Sequence, residues 1–478
     1  MLAVGAATAS ALAVSASLVA AQATSKTLST NYTLVNLSTS TATVSVNYYL
    51  ENGSTWTASP SSTSFTVPGN GGQAIIAQYF DTTMASGRGS AVVASDQPLG
   101  AVVQILARNQ TPTQGAYIGS STTSSVYYVP LVLRQRNSTN SQIMVQNAGT
   151  SAVTVNIELI KSATSPGANY TRSGINIPVG ATFYYDLATE SASNVADAWF
   201  GSAVVRATSA GGQITVISNL FAGADQLQTF NGFPSSGLSN KWFVPLFTSR
   251  LTNALSTPVS VQNLSGSTAA VGSITMNCTR DAGSTGGSPT FSASNTATVA
   301  NNESWFFNPV VDTTLPTNWY GSCVVNTPGN SVVFVQMRQP NVTPSAAAYE
   351  GINGNGTNRT VLVPLVGKIL PNGFATPVTI QNLTGSANTV SITYTPAQAY
   401  VAGGGSATPI TESGVVIPAN GSLIRNFRLG TTVPGMPNGW YGTMRVTGSN
   451  AIDGFVQITT IGATTGDTLM AHGVFTQP

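Results

Sequence analysis

Charge is the scarcest thing in this sequence. Charged residues make up 7% of 478, against about a quarter in an average soluble protein. The 17 basic and 15 acidic residues are scattered along the chain, so no basic stripe exists to follow a phosphate backbone, and nucleic acid is excluded as an expected partner. A single histidine, His472, rules out a multi-histidine metal site and most general-base triads. Carboxylates do not cluster either. Asp81 and Asp186 follow aromatic pairs at equivalent places, but Asn308 and Asn426 stand there in later repeats, which marks a turn or capping group rather than a catalyst. No serine sits in a Gly-x-Ser-x-Gly elbow with a base to serve it. The expectation is a protein that is not an enzyme, with no catalytic residue, cofactor or metal ligand.

Cysteine is nearly absent too. Cys278 and Cys323 cannot close a structural zinc site by themselves; they form either a cross-strand disulfide in an exported protein or two small buried thiols. Long apolar runs are confined to the start. Residues 1–23 are rich in Ala, Val, Leu and Ser and end in Ala21-Gln22-Ala23, the pattern of a secretory signal cleaved before Thr24. A positively charged leader is missing, and the alternative is a weak membrane anchor that stays attached. No second apolar stretch of about 20 residues follows, so no membrane span is expected once the leader is removed.

What the sequence has in abundance is Ser, Thr, Asn, Gly and repetition. Trp199-Phe200-Gly201-Ser202, Trp319-Tyr320-Gly321-Ser322 and Trp440-Tyr441-Gly442-Thr443 are one motif, with a worn copy at Gly87-Arg88-Gly89-Ser90. A period of roughly 110 to 120 residues points to tandem copies of one domain. Three copies open on Val129-Pro130-Leu131, Val244-Pro245-Leu246 and Val363-Pro364-Leu365; proline has no amide hydrogen for a central ladder, so edge strands or strand starts are expected there. Each opening leads to Val145-Gln146-Asn147, Val261-Gln262-Asn263 or Ile380-Gln381-Asn382, then to short runs in which apolar and small polar residues alternate. About seven strands per copy, with turns every 8 to 12 residues, describe an antiparallel β-sandwich of immunoglobulin-like type. The fold expected is all-β, with four tandem sandwiches at 24–122, 123–238, 239–357 and 358–478. Short linkers such as Ser235-Ser236-Gly237 predict a semi-rigid rod. The recurring Trp is expected to fill the core while the Gly two residues on removes bulk beside it; stacking on carbohydrate is the alternative, and it requires exposure.

A cation recurs after each opening strand, at Arg134 and Arg136, Arg250 and Lys368; it is expected to guard an edge against stray pairing, with ligand binding as the alternative. Asn36, Asn137, Asn169, Asn263, Asn341 and Asn382 lie in Asn-x-Ser/Thr sequons, which so Asn-rich a chain produces by chance as well, and no one of them is assigned a glycan.

The Val-Pro-Leu, Gln-Asn-Leu and Trp-Tyr-Gly-Ser pieces together resemble the secreted tandem immunoglobulin-like repeat proteins of bacterial surfaces, nearest to the low-charge repeats of filamentous, gliding types. The resemblance covers the chain after the leader. It implies an extracellular, cell-surface scaffold of surface layers, sheaths, pili or adhesins. The first copy departs from the pattern: its motif has no Trp, and the place of its opening strand falls near Leu18-Val19-Ala20, inside the leader. Cleavage would then leave an unpaired sheet edge, filled by residues 24–32 of the same chain or by a strand from another copy. The function expected is a structural protein whose partners are copies of itself, building a layer, sheath or filament. The alternatives are an adhesin for surface glycans and an accessory module of a secreted hydrolase.

Overall fold

The computed structural model describes residues 12–14, 28–107, 113–223, 225–312, 314–340, 344–463 and 465–476. The predicted signal at 1–23, apart from residues 12–14, lies outside them, as do the cleavage site and Asn341. The described chain is all-β, built of several antiparallel sheets with two short helices, Pro60–Thr63 and Gln398–Ala402.

The second copy shows the plan. One sheet runs in the order Tyr170–Ile177, Val153–Lys161, Trp199–Ala207, Val126–Arg134, Phe233–Pro234, and the other in the order Thr182–Asp186, Thr139–Asn147, Ile214–Ala222, Gln226–Asn231. Along Val153–Lys161 the side chains of Val153, Val155, Ile157 and Leu159 are buried and those between them are not. This is the period-two pattern read from the sequence. Thr139–Asn147 behaves differently, because every residue in it is buried. Its polar residues Asn140, Ser141, Gln142 and Gln146 are covered as fully as Ile143 and Val145. In the third copy the strand Trp319–Gln339 continues from one group of strands into the other, pairing with Ser239–Ser249 and Thr275–Arg280 through its first half and with Val259–Asn263 and Ser345–Glu350 through its second.

The tryptophans of the motif are core residues: Trp199 and Trp319 are 0% exposed and Trp440 2%. Their burial removes the carbohydrate-stacking alternative at these three positions. The indole N–H of Trp199 donates to Ala168 O (3.1 Å) and that of Trp319 to Ser288 O (2.9 Å), so no polar atom of the ring is stranded. The motif glycine has a stricter reason than lost bulk. A Cβ on Gly89, Gly201, Gly321 or Gly442 would stand 1.8, 2.0, 2.0 or 2.1 Å from the carbonyl oxygen of Tyr49, Ile160, Thr279 or Thr395 on the neighbouring strand. The missing tryptophan of the first copy is replaced from elsewhere in the chain. Trp56 is buried, its ring lies 3.5 Å from the position a Gly87 side chain would take, and its N–H donates to Ala85 O (2.9 Å).

The copies do not follow one another in a row. The last long strands of the four copies, Gln114–Ile118, Gln226–Asn231, Ser345–Glu350 and Leu469–Gly473, touch in sequence, and the fourth returns to touch the first. Phe230 lies on Phe334 of the next copy (centroids 4.0 Å) and Tyr349 on Phe455 of the next (4.1 Å). The circuit of contacts is closed, and the expected rod is corrected to this arrangement. The short linkers do hold neighbours in contact, but a head-to-tail contact applied repeatedly with a rotation closes on itself.

Cys278 and Cys323 stand directly opposite each other on Thr275–Arg280 and Trp319–Gln339, and they are joined by a disulfide. Replacing both by Ala is expected to lower the stability of the molecule by about 2–4 kcal/mol, read as a shift in the guanidinium midpoint that reduction of the native protein reproduces. Gly321→Ala is expected to cost about 1–3 kcal/mol through forced strand separation. Gly385→Ala, where a Cβ meets nothing within 4 Å, should change stability by less than about 0.5 kcal/mol; equal effects in the two variants would refute the close-approach argument.

Candidate functional site

The two motifs that repeat most clearly meet at the joints between copies. In each Val-Pro-Leu strand the pairing register slips at the proline: between Gly201 and Ala203 opposite Pro130, and between Val244 and Phe247 and between Val363 and Val366 around Pro245 and Pro364. Proline therefore sits in a bulge, on a strand whose far side is paired only at Tyr127 and Tyr128, Trp242 and Phe243, or Val361 and Leu362, the edge position expected of it, and its carbonyl is released from the ladder. The next copy takes that carbonyl. Ser304 Oγ donates to Pro130 O (2.8 Å), Ser422 Oγ to Pro245 O (2.7 Å), and Gln73 Nε2 of the first copy to Pro364 O of the fourth. The motif serine returns the contact: Ser90, Ser202 and Ser322 each donate to the turn of the following copy, at Gly180 O, Asn302 O and Asn420 O. Gln262 and Gln381 reinforce the second and third joints by donating across them to Ala203 O (3.3 Å) and Cys323 O (3.4 Å), while also holding Asn302 O (3.0 Å) and Asn420 O (2.8 Å) of their own copies.

The joint between the first and second copies lacks partners: Gln146, in the place of Gln262 and Gln381, makes no side-chain hydrogen bond among the described residues. Thr182 occupies the place of Ser304 and Ser422, is 2% exposed, and its hydroxyl has no hydrogen-bond partner among the described residues. The first copy offers no Pro carbonyl there. Among the described residues its opening strand is Leu12–Val14, lying antiparallel along Gly89–Ser95. The leader thus does supply the strand, but at 12–14; Leu18-Val19-Ala20 lies outside the described residues. The expectation that residues 24–32 fill the gap is corrected, because Leu28–Asn36 forms a central strand of the other sheet, between Gln73–Ala77 and Leu99–Ala107.

Other polar positions picked out in the sequence are structural. Asn36, Asn147, Asn263 and Asn382 are buried, and each amide holds its own turn and the strand beyond, as Asn147 does with Ser151 O (2.8 Å) and Ile177 O (2.9 Å). The sequons at Asn36, Asn263 and Asn382 therefore have no free amide in the folded chain, whereas Asn169 is exposed. Asp81, Asp186, Asn308 and Asn426 all accept the backbone N–H two residues on, the turn role expected of them. The recurring cations do not guard edges. Arg134 donates to Glu190 O and pairs with Asp197, Arg250 donates to Leu315 O, and Lys368, 1% exposed, to Met436 O. Each head group satisfies a carbonyl in the loop that leads into the motif tryptophan, a loop with no ladder partner of its own.

The ionisable groups of interest gather where the last strands meet. Asp467 is 0% exposed and accepts N–H bonds from Leu227 of the second copy (3.0 Å), Ala346 of the third (3.0 Å) and Leu469 of its own (3.2 Å). Burial outweighs these donors and holds its carboxyl well above the usual carboxylate range. His472, 2% exposed, occupies the place held by Tyr117, Phe230 and Tyr349 in the sister strands. Burial pushes its imidazole down to about 4.

Among the described residues no group of three or more His, Cys, Asp or Glu side chains is placed to hold a metal ion, and no helix is long and apolar enough to cross a membrane. Compared with known proteins, the chain matches no family model and no curated protein. The joints combine hydrogen bonds between neutral groups with backbone N–H bonds to the carboxyls of Glu303, Glu350 and Asp467 of neighbouring copies, and leave clefts where neighbouring copies do not fully close.

His472 makes the meeting point of the strands acid-sensitive. The unfolded chain takes up a proton near pH 6.5 and the folded chain only near 4, so stability is full above 6.5 and falls as pH drops through that window, by about 3 kcal/mol at most. Asp467 acts in the opposite sense, its contribution being lost as pH rises through its elevated folded pKa. Asp453, raised by burial to about 7, and Glu350 act in the same sense as Asp467, so the His472 contribution is read as a difference: between pH 6.5 and 4 the urea stability of His472→Phe, which installs a sister residue, should gain on that of the native chain as pH falls.

Proposed function

We propose that this chain is an exported, non-enzymatic structural subunit of a cell-surface layer, sheath or filament, made of four immunoglobulin-like sandwiches, and that it assembles with copies of itself. The observation that carries the reading is the edge of Gly89–Ser95. In the second, third and fourth copies the equivalent edge is covered by a strand of eight to eleven residues; in the first, among the described residues, it is covered by Leu12–Val14, from the stretch predicted to be removed on export. Removal of the leader opens a row of unpaired backbone groups beside the unsatisfied Thr182, a ready acceptor for a strand of a second copy. The low surface charge favours dense lateral association.

A second reading, an adhesin, is supported by Tyr79 and Phe80. These two rings pack edge to face at 5.2 Å and are 44% and 70% exposed, which suits contact with a glycan or another surface.

Protein beginning at Thr24 is expected to form polymers visible by negative-stain microscopy, and a synthetic peptide of residues 8–20 is expected to suppress them by occupying the edge. Single particles without the peptide would refute strand-mediated assembly and favour the adhesin.

A further inference from the structure

We infer that the cleft between the second and third copies is a binding site for a carboxylated or sulfated sugar of an anionic polysaccharide. The cleft encloses about 410 Å³ and has Arg136 and Arg338 in its walls. Among the described residues no carboxylate lines it, and neither arginine makes an ion pair. In a chain with so few charges, two unneutralised guanidinium groups facing one cavity are conspicuous, and burial draws the Arg338 pKa down, as expected of a cation short of solvent and of counter-ion.

The rest of the lining suits a sugar ring. The Arg136 guanidinium lies over the Phe200 ring at 3.9 Å, and Phe200 meets Phe306 of the third copy edge to face at 5.7 Å. With Phe200 covered by Arg136, Phe306 and the exposed Val311 present the apolar surface for the C–H face of a pyranose, beside cations for its acidic group. Gln336 and Gln228, bonded to each other across the joint at 2.8 Å, supply amide groups for hydroxyls. Arg136 is held in a turn in which Gln135, Asn137 and Ser138 all adopt left-handed backbone angles (φ 49°, 49° and 56°). Non-glycine residues persist in that region where the surroundings over-determine them, a frequent feature of functional sites.

The internal repeats provide the control. By strand register Arg338 corresponds to Leu106, Phe221 and Thr459 in the other copies. The scaffold accepts neutral residues at this position in three copies, so the fold does not require the cation.

The test is affinity electrophoresis and calorimetry of the full chain against polygalacturonate, dextran sulfate, neutral dextran and inorganic polyphosphate at physiological salt. Binding to one or both acidic polysaccharides is expected, the two arms separating carboxylate from sulfate as the preferred group, with affinity falling as salt rises. Arg338→Thr, which installs the residue of the fourth copy, and Arg136→Gln should each weaken it about tenfold while leaving thermal unfolding unchanged. If Arg338→Thr fails to fold, Arg136→Gln alone decides. Binding of neutral dextran or polyphosphate as tight as that of the acidic sugars, unchanged affinity in the variants, or no binding to either acidic polysaccharide would overturn the inference.

Discussion

The structure depends on neutral hydrogen bonds across the faces of sheets that a sequence reading would leave in water. The polar side of Thr139–Asn147 is buried against neighbouring strands and copies, and such burial is costly wherever a group lacks a partner, as the side chains of Gln142 and Gln146 do among the described residues. At the second and third joints the proline bulge and a serine of the next copy supply partners in pairs: one copy releases a carbonyl and the next donates a hydroxyl to it. Because these paired groups are uncharged, they avoid the desolvation of ions, a cost that burial does impose on Glu350 and Asp467, which accept N–H bonds from neighbouring copies.

The same requirement explains where the arrangement is incomplete. At the first joint the opening strand is described only at Leu12–Val14, and Thr182 has no hydrogen-bond partner among the described residues. A buried hydroxyl without a partner is destabilising, and its position beside a short edge strand links the energetics of the joint to the capacity for association. Closure of the four last strands brings Asp467 and His472 out of water, into surroundings that sister strands fill with aromatic rings and small residues.

Repetition within one chain separates scaffold from function. Residues shared by all copies, such as the motif glycine and the turn asparagine, answer to packing and hydrogen bonding. Residues that differ at equivalent positions mark where local demands depart from the scaffold. Arg338 against Leu106, Phe221 and Thr459 is one such difference; the disulfide, confined to the third copy, is another.

The sequence alone determined the strands, because period-two alternation over short runs leaves few other conformations able to bury one face, and Val153–Lys161 is what that pattern predicts. It likewise determined the buried tryptophans and the turn role of Asp81 and Asn308, whereas it left Cys278 and Cys323 open between a disulfide and two thiols, which their opposed positions in the structure decide. Trp56 standing in for a missing motif tryptophan was invisible, since it comes from a different loop and meets Gly87 only in three dimensions. Only the tertiary structure decided that Val-Pro-Leu is a bulge serving a joint, that the recurring cations hold loop carbonyls, and that the fourth copy returns to the first. Those outcomes turn on the rotation between successive copies, a quantity set by side-chain contacts across hundreds of residues and carried by no local pattern.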